Sequence, residues 1–198
     1  MSQWDSRFAA DAFVYGEEPN EFLREECGRF APQSRVLNIG DGEGRNGVFL
    51  AERGHHVTSL DLSAVGLAKA ARLAAQRGVP LQTLHADLAE WRAGDGSFDV
   101  VVSVFCHVPR ALRRTVHADL ARVLAPGGLF VLTAYRPEQL SFGTGGPKDL
   151  DLLFPLAELR EELSGLELLV AREVERDVVE GTLHTGRAAT VEVVARRS

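Results

Sequence analysis

The chain has 198 residues, a formal net charge of −6, and a composition that is 45% hydrophobic and 25% charged. These values are typical of one globular domain with a substantial core. The acidic balance argues against nucleic acid as a partner, because phosphate contacts normally require a surplus of basic residues. The one basic cluster, Arg110 with Arg113 and Arg114, has helical spacing and is interpreted as a solvated face.

The composition also bears on location and on metals. No apolar run approaches the roughly 18 residues of a membrane span, and the N-terminus lacks the basic-then-apolar pattern of a signal peptide. We therefore expect a soluble, cytoplasmic protein with no membrane partner. Its two cysteines, Cys27 and Cys106, are expected to be reduced, and its six scattered histidines show no ligand spacing, so no metal site is expected. The oligomeric state cannot be read from the sequence.

Short apolar strands alternate with amphipathic helices along the chain. Strands are predicted over 35–40, 56–61, 81–85, 98–104 and 129–135, with helices between them, and a further helix over 155–163. This alternation is typical of βαβ units in a parallel sheet. Two long strands over 168–177 and 188–195 are joined by few residues, so one of them must run antiparallel. The predicted fold is an α/β, doubly wound, Rossmann-like, seven-stranded, mostly parallel sheet with an antiparallel C-terminal strand and helices on both faces.

The segment before Arg35 has helical patterns around 7–13 and 20–30 and no strand. These helices are expected to pack over the open edge of the sheet or over its binding crevice. Residues 1–198 are therefore interpreted as a single domain.

Three alternating glycines, Gly40, Gly42 and Gly44, follow the first predicted strand and open a helix. Glycines let a ligand approach the backbone closely, and the carboxyl ends of strands are where open α/β sheets bind ligands. Arg45 stands where the dinucleotide pattern G-x-G-x-x-G requires its third glycine. The turn therefore favours a nucleoside without a diphosphate, such as S-adenosylmethionine (AdoMet), over NAD. A purely structural turn is the alternative.

Two carboxylates follow the neighbouring strands. Asp61 ends the second strand, where it can accept hydrogen bonds from both ribose hydroxyls or can cap the next helix. Asp87 follows the third strand, between Ala86 and Leu88. It can accept a hydrogen bond from an adenine amine beside the apolar wall of Leu88, although a simple turn residue is an equal interpretation.

Taken together and in order, these motifs resemble those of the class I AdoMet-dependent methyltransferases. Residues 36–44 are similar to the first motif of that family, Asp61 to the second and residues 86–88 to the third, while 98–101 and 124–128 are similar to the family's fourth strand and the turn before its fifth. The resemblance implies AdoMet as the cofactor and methyl transfer as the reaction. The cofactor-binding residues that it implies are Tyr15, Gly40, Asp41, Gly42, Gly44, Arg45, Asn46, Asp61, Leu62, Ala86, Asp87, Leu88 and Ser103.

Within the class, residues 49–57 and the pairs Tyr15-Gly16 and Pro19-Asn20 are similar to the tellurite-resistance and thiopurine methyltransferase-like group. That likeness implies that residues 1–34 cover the cofactor site, with roles for Trp4 and Tyr15. It also implies a sulfur, selenium or tellurium acceptor, while the compact chain itself predicts a small-molecule acceptor. Asn38 stands where the family often has an acidic residue, and Asp41 is the candidate to supply a charge for the methionine ammonium.

Two residues at strand ends are candidates for catalysis. His107 follows the fourth strand and is a candidate general base, because its ordinary pKa lies near neutrality; a histidine that packs or shapes the substrate pocket is the alternative. Tyr135 ends the fifth strand and, with Arg136, is a candidate substrate contact. The glycine-rich loop 141–148 is expected to flank them.

Two rival functions stay open on the sequence alone. One is an NAD-dependent oxidoreductase, against which Arg45 and the terminal strand pair both argue. The other is a non-catalytic module that binds AdoMet or a nucleoside. A pocket blocked by bulky side chains near His107, Tyr135 and loop 141–148 would favour that module over an enzyme.

Overall fold

A computed structural model describes residues 3–181 and 184–198. Its α-helices are α1 Gln3–Arg7, α2 Glu21–Glu26, α3 Arg45–Glu52, α4 Ala64–Arg77, α5 Arg110–Val123 and α6 Leu156–Glu162. Its strands are β1 Arg35–Ile39, β2 His56–Asp61, β3 Gln82–His85, β4 Phe98–Val104, β5 Leu124–Tyr135, β6 Glu167–Glu180 and β7 His184–Arg196. Short 3₁₀ turns lie at Cys27–Arg29, Pro137–Ser141 and Leu150–Leu152.

The seven strands form a sheet in the order β3-β2-β1-β4-β5-β7-β6. Strands β1 to β5 pair in parallel, and β7 runs antiparallel to both β5 and β6. The predicted doubly wound sheet with an antiparallel strand in the terminal pair is confirmed. The strand order reverses between β1 and β4, so their carboxyl ends open the crevice where such folds bind ligands.

Apolar side chains alternate along β1 and divide the core into two layers. Leu37 and Ile39 face the layer that α5 and α6 cover, while Val36 faces the layer of α2 and α3. This alternation follows from the two-residue period of a strand. Helices therefore cover both faces of the sheet, and the carboxyl ends of its strands are left at one edge.

Three local expectations need correction. The helix predicted over 7–13 lies instead at α1, because the carbonyls of Ala10 and Ala12 accept hydrogen bonds from Lys69 and are not used in a helix. The second predicted helix is shorter than expected and begins after Asn20, whose side chain accepts from the Leu23 amide. Strands β6 and β7 are longer than predicted at both ends, and β5 begins earlier, at Leu124.

The expectation that Arg113 lies on a solvated face is wrong. Its side chain is 1% exposed and pairs with Glu158 at 2.6 Å and with Glu162 at 2.7 Å, above the ring of Phe154. Burial would raise the pKa of Glu162, but hydrogen bonds from His117 and Arg113 outweigh it and hold that pKa at about 2. These ion pairs hold α5 against α6. In the basic cluster, only the side chains of Arg110 and Arg114 are substantially exposed to solvent.

Candidate cofactor and acceptor site

The glycine turn between β1 and α3 has the backbone shape that its sequence predicts. Gly40, Gly42 and Gly44 have φ values of 65°, 58° and 90°, a region that residues with a Cβ rarely adopt. A Cβ added at Gly44 would lie 2.5 Å from the Cβ of Ala70, so α4 packs directly on the turn. The Gly40 amide donates to the Leu60 carbonyl at 2.8 Å and ties the turn to the end of β2.

Asp41 supports the turn from inside the protein. Its carboxylate accepts hydrogen bonds from Ser59 Oγ, from Asn38 Nδ2 at 2.7 Å and from the Gly47 amide at 3.3 Å. Burial raises the pKa of Asp41 to about 6 despite these hydrogen bonds. The geometry therefore favours a structural role, and it does not support the hypothesis that Asp41 supplies a charge for an ammonium group.

Asp61 joins the glycine turn to the start of α4. Its Oδ2 accepts a hydrogen bond from the Gly42 amide at 2.8 Å, and its Oδ1 accepts one from the Ser63 amide at 2.7 Å. The cap of α4 is Ser63, whose hydroxyl accepts from the Gly66 amide, so Asp61 is not the capping side chain. Because each carboxylate oxygen can accept more than one hydrogen bond, Asp61 retains capacity for ribose hydroxyls.

The residues after β3 lie beside Asp61. The Ala86 amide donates to the Asp61 carbonyl at 3.1 Å, and Asp87 Oδ1 accepts from the Ala89 amide at 2.8 Å in a local turn. Asp87 is exposed, as is Leu62 just after β2. Leu88 lines one small cavity together with Ser103 and Cys106, so it lies close to the end of β4.

Residues 3–16, which we call the cover, lie on the glycine turn. The ring of Phe8 would be 3.0 Å from a Cβ added at either Gly42 or Gly66, and Trp4 stacks on Phe8 with ring centroids 5.9 Å apart. Asp5 Oδ1 accepts from the Ser63 hydroxyl at 2.7 Å. The cover therefore lies against the glycine turn and the start of α4.

A buried ion pair, which was not predicted from the sequence, fixes the cover against the glycine turn and α4. Glu43, inside the glycine turn, pairs with Lys69 of α4. Glu43 Oε2 also accepts the amides of Val14 and Tyr15, while Lys69 donates to two carbonyls earlier in the cover. The only signal in the sequence is Lys69 itself, a charged residue beside the apolar stripe of α4.

The first two residues of α3, Arg45 and Asn46, contact distant parts of the chain. Arg45 Nη2 pairs with Glu180 Oε2 at 2.5 Å, and Asn46 Oδ1 accepts the Asn20 amide at 2.9 Å. Tyr15 belongs to the cover; its ring meets Phe8 edge-on, and its hydroxyl accepts from Arg7 at 3.1 Å.

Cys106 lies against the glycine turn from the side of β4. Its Sγ would be 2.6 Å from a Cβ added at Gly40, and the preceding residue, Phe105, has a φ of 50°. Burial, with the charge of Asp61 added, raises the pKa of the Cys106 thiol to about 12. The thiol therefore stays protonated and unreactive at neutral pH.

His107 and Tyr135 form a stacked pair at the ends of β4 and β5. Their ring centroids are 5.5 Å apart, and Phe154 meets the imidazole edge-on. His107 Nδ1 is 2.7 Å from the Leu152 carbonyl, and Nε2 accepts the Tyr135 amide at 3.4 Å. Burial lowers the pKa of His107 to about 4. These contacts favour the packing and shaping interpretation of His107 over the general-base hypothesis.

Tyr135 is fully buried, and loop 141–148 lies beside it. A Cβ added at Gly146 would be 2.8 Å from the Tyr135 ring, and Gln139, just before the loop, donates to the Thr144 hydroxyl at 3.1 Å. Burial, followed by the charge of Glu180, raises the pKa of the Tyr135 phenol. The phenol is thus protonated at neutral pH, and the loop flanks it as the sequence predicts.

Two classes of site are not found among residues 3–181 and 184–198. No group of three or more potential metal ligands comes together there. Nor is any helix in that part of the chain both long enough and apolar enough to span a bilayer.

The fold is Rossmann-like, and a family model described as "Methyltransferase domain" matches residues 36–128. Over 134 residues the chain is 31% identical to the 2-heptyl-1-hydroxyquinolin-4(1H)-one methyltransferase of Mycobacteroides abscessus, covering 65% of this chain and 56% of that protein. TehB from Haemophilus influenzae shares the fold with a TM-score of 0.74 at 18% identity, covering 98% of this chain and 66% of that one. In its motifs and its fold the chain is similar to the class I AdoMet-dependent methyltransferases.

The comparisons also bear on the expected partners. A tRNA 5-carboxymethoxyuridine methyltransferase of Escherichia coli is 36% identical over 110 residues, covering 54% of this chain and 42% of that protein. The expectation that nucleic acid is not a partner therefore gains no support from the relatives. The chain spans about half to three-fifths of the length of the first curated relatives that it matches.

Proposed function

We propose that the chain transfers a methyl group from AdoMet to a small-molecule acceptor. The observation that carries this proposal is the hydrogen bond from the Gly42 amide to Asp61, which holds the glycine turn and the ribose-type carboxylate together at the carboxyl ends of β1 and β2. Arg45 occupies the position where a dinucleotide-binding turn requires its third glycine, which supports AdoMet over NAD.

The residues present fit this cofactor. The glycine backbone of the turn permits close approach, Asp61 can accept from ribose hydroxyls, and Asp87 is exposed for an adenine amine. Phe8 of the cover lies next to Gly42, and Cys106, which follows the end of β4, lies next to Gly40.

AdoMet supplies a methyl group that its sulfonium has already activated. The chain must therefore align the acceptor and exclude water, and needs no metal for this. The cover shields the turn from solvent, and the stacked pair of His107 and Tyr135 forms a rigid wall at the ends of β4 and β5. The protonated Tyr135 phenol can donate a hydrogen bond and cannot remove a proton at neutral pH.

This wall supports an acceptor that does not depend on a protein base. His107 has a pKa of about 4 and both ring nitrogens in hydrogen bonds, so it is a poor proton acceptor for a neutral alcohol or amine. A thiolate, selenide or telluride is already nucleophilic near neutral pH. We therefore include a sulfur, selenium or tellurium compound in the proposal as the acceptor class.

An acceptor screen tests the proposal. Formation of S-adenosylhomocysteine is measured with small thiols, with selenide, with a phenol or hydroxyquinolone, and with bulk tRNA as separate arms. Turnover with the thiol or selenide arm supports the chalcogen acceptor. Turnover confined to the phenol or tRNA arm contradicts that acceptor class but keeps the methyltransferase.

A non-catalytic AdoMet-binding module is the second candidate. It is favoured by the filled space above the turn, where Phe8 and Cys106 meet the glycines, and by the complete burial of Tyr135. A module of this kind would bind AdoMet tightly and give no S-adenosylhomocysteine with any arm of the screen.

A further inference from the structure

A buried ion pair joins two residues that lie far apart in the sequence, Arg45 and Glu180. Arg45 is the first residue of α3, next to the glycine turn, and Glu180 is the last residue of β6. Their side chains are 7% and 8% exposed, and Nη2 lies 2.5 Å from Oε2. Loss of either partner of a buried ion pair is strongly destabilising, because it leaves an uncompensated buried charge.

The other oxygen of Glu180 contacts a third element. Asn20 Nδ2 donates to Glu180 Oε1 at 2.7 Å, and Asn20 is also the N-cap of α2. The Asn20 amide donates in turn to Asn46, the residue after Arg45. Glu180 therefore links the end of β6 to both the start of α2 and the start of α3.

The next residue, Gly181, lies on the cover. Its φ is 70°, and an added Cβ would be 2.3 Å from the Val14 carbonyl oxygen and 2.5 Å from the carbonyl carbon of Tyr15. The backbone amides of these two cover residues donate hydrogen bonds to Glu43. The end of β6 thus contacts the cover and the glycine turn at once.

The charges around Tyr135 place the same groups together. The pKa of this phenol is raised by burial first, then by Glu180 and Tyr15, and is lowered by Arg45 and Arg176. Glu180, Tyr15 and Arg45 are therefore all close enough to Tyr135 to affect its pKa.

We propose that Glu180 is a positioning residue for AdoMet binding. It holds the Arg45 guanidinium beside the glycine turn and keeps the end of β6 against the cover, so that the turn, the cover and the acceptor wall are assembled together. This inference rests on the proposed function, because it concerns the binding of AdoMet.

The first test compares Glu180→Gln with Glu167→Gln. Glu167 lies at the other end of β6 in an ion pair with Arg196, but that pair is about half exposed. AdoMet affinity is measured by calorimetry at a temperature where circular dichroism shows each variant folded. We expect E180Q to bind at least tenfold more weakly than wild type, and E167Q to stay within twofold. Wild-type affinity in E180Q would overturn the proposal.

A double-mutant cycle with Arg45→Gln separates positioning from general loosening. If Glu180 acts through Arg45, the effect of E180Q on AdoMet affinity shrinks to less than threefold in the R45Q background. An equal loss in both backgrounds would contradict the assigned route through Arg45.

A second pair of variants decides the matter even if E180Q does not fold. Gly181→Ala places a methyl group against the Val14 carbonyl, whereas Gly127→Ala has a similar φ of 77° with no atom within 4 Å. We expect G181A to weaken AdoMet binding at least fivefold and to speed hydrogen exchange at the Val14 and Tyr15 amides, with G127A unchanged in both. Equal behaviour of the two variants would overturn the proposal.

Hydrogen exchange is measured in the ligand-free chain, so this readout does not depend on AdoMet binding. A wild-type chain that fails to bind AdoMet contradicts the proposed function, while variants that leave exchange and affinity unchanged contradict the role of Glu180 alone.

Discussion

Glu43 and Lys69 form an ion pair in which the side chains are only 3% and 6% exposed. Glu43 comes from the glycine turn and Lys69 from the middle of α4, and each also binds the backbone of the cover. The pair therefore fixes three segments at once: the turn, the helix after β2, and the N-terminal residues that lie over both.

Lys69→Met is expected to lower the free energy of unfolding by about 3–5 kcal/mol, because it leaves the buried carboxylate of Glu43 without its partner. Urea denaturation followed by circular dichroism measures the loss. The double variant Lys69→Met with Glu43→Gln should recover part of it. The control is Arg24→Gln, which breaks a pair with Glu18 that is mostly exposed and should cost less than about 1 kcal/mol. Similar losses in K69M and R24Q would contradict the account of the cover.

Asp41→Asn is expected to become more stable relative to wild type as the pH rises. Burial raises the folded pKa of Asp41 to about 6, above its unfolded value. The stability from this group is therefore fully present below about pH 3.9 and is lost as the pH rises through about 6. The difference between the two proteins should grow by on the order of 3 kcal/mol from pH 4 to pH 7. A pH-independent difference in urea midpoints would show that Asp41 does not titrate in this way.

His107→Phe is expected to remove a loss of stability at low pH. The folded pKa of about 4 lies below the unfolded value, so the contribution of His107 is complete above about pH 6.5 and is lost as the pH falls towards 4. Phenylalanine keeps the stacking with Tyr135 and Phe154 but cannot be protonated. Wild type should lose on the order of 3 kcal/mol relative to the variant over this range.

The same variant tests the role of His107 in turnover. With a thiol acceptor, H107F should keep kcat within about tenfold of wild type, since the wall is retained and no base is needed. A far larger fall, with loss of a kcat titration near pH 6–7, would restore the general-base hypothesis.

Asp61→Ala is expected to weaken AdoMet binding by roughly 1.5–3 kcal/mol, the cost of losing hydrogen bonds to a charged acceptor. The Gly42 amide also loses its partner in this variant, so Ser59→Ala serves as a control that alters the Asp41 side of the turn instead. Calorimetry measures both affinities. Unchanged binding in D61A would refute the ribose assignment.

The parallel sheet was predictable because its signals are local. The strand from Arg35 is followed directly by the glycine turn, and Ser63 and Gly78 bound α4 as a cap and a stop. The terminal strand pair was predictable for the same reason, since too few residues connect β6 to β7 for a crossover.

The contacts that complete the site were not predictable, because they join residues far apart in sequence. Glu180 and Arg45, which form an ion pair, are separated by 135 positions in the sequence. The sequence around Arg113 indicates a surface arginine, and its burial becomes evident only from its pairing with Glu162. The first helix was misplaced because the backbone of Ala10 and Ala12 binds Lys69. In each case tertiary contacts outweighed a weak local preference.

A thermal-shift titration of the wild-type chain with AdoMet, S-adenosylhomocysteine, NAD and NADP tests which cofactor the glycine turn binds. A ligand at about 100 times its dissociation constant adds about 2.7 kcal/mol of stability. At about 2–4 °C for each kcal/mol in a chain of this size, the midpoint should rise by roughly 5–11 °C. We expect such a rise with AdoMet and S-adenosylhomocysteine and none with the two nicotinamides. A rise with NAD alone would contradict the assignment of the glycine turn to AdoMet.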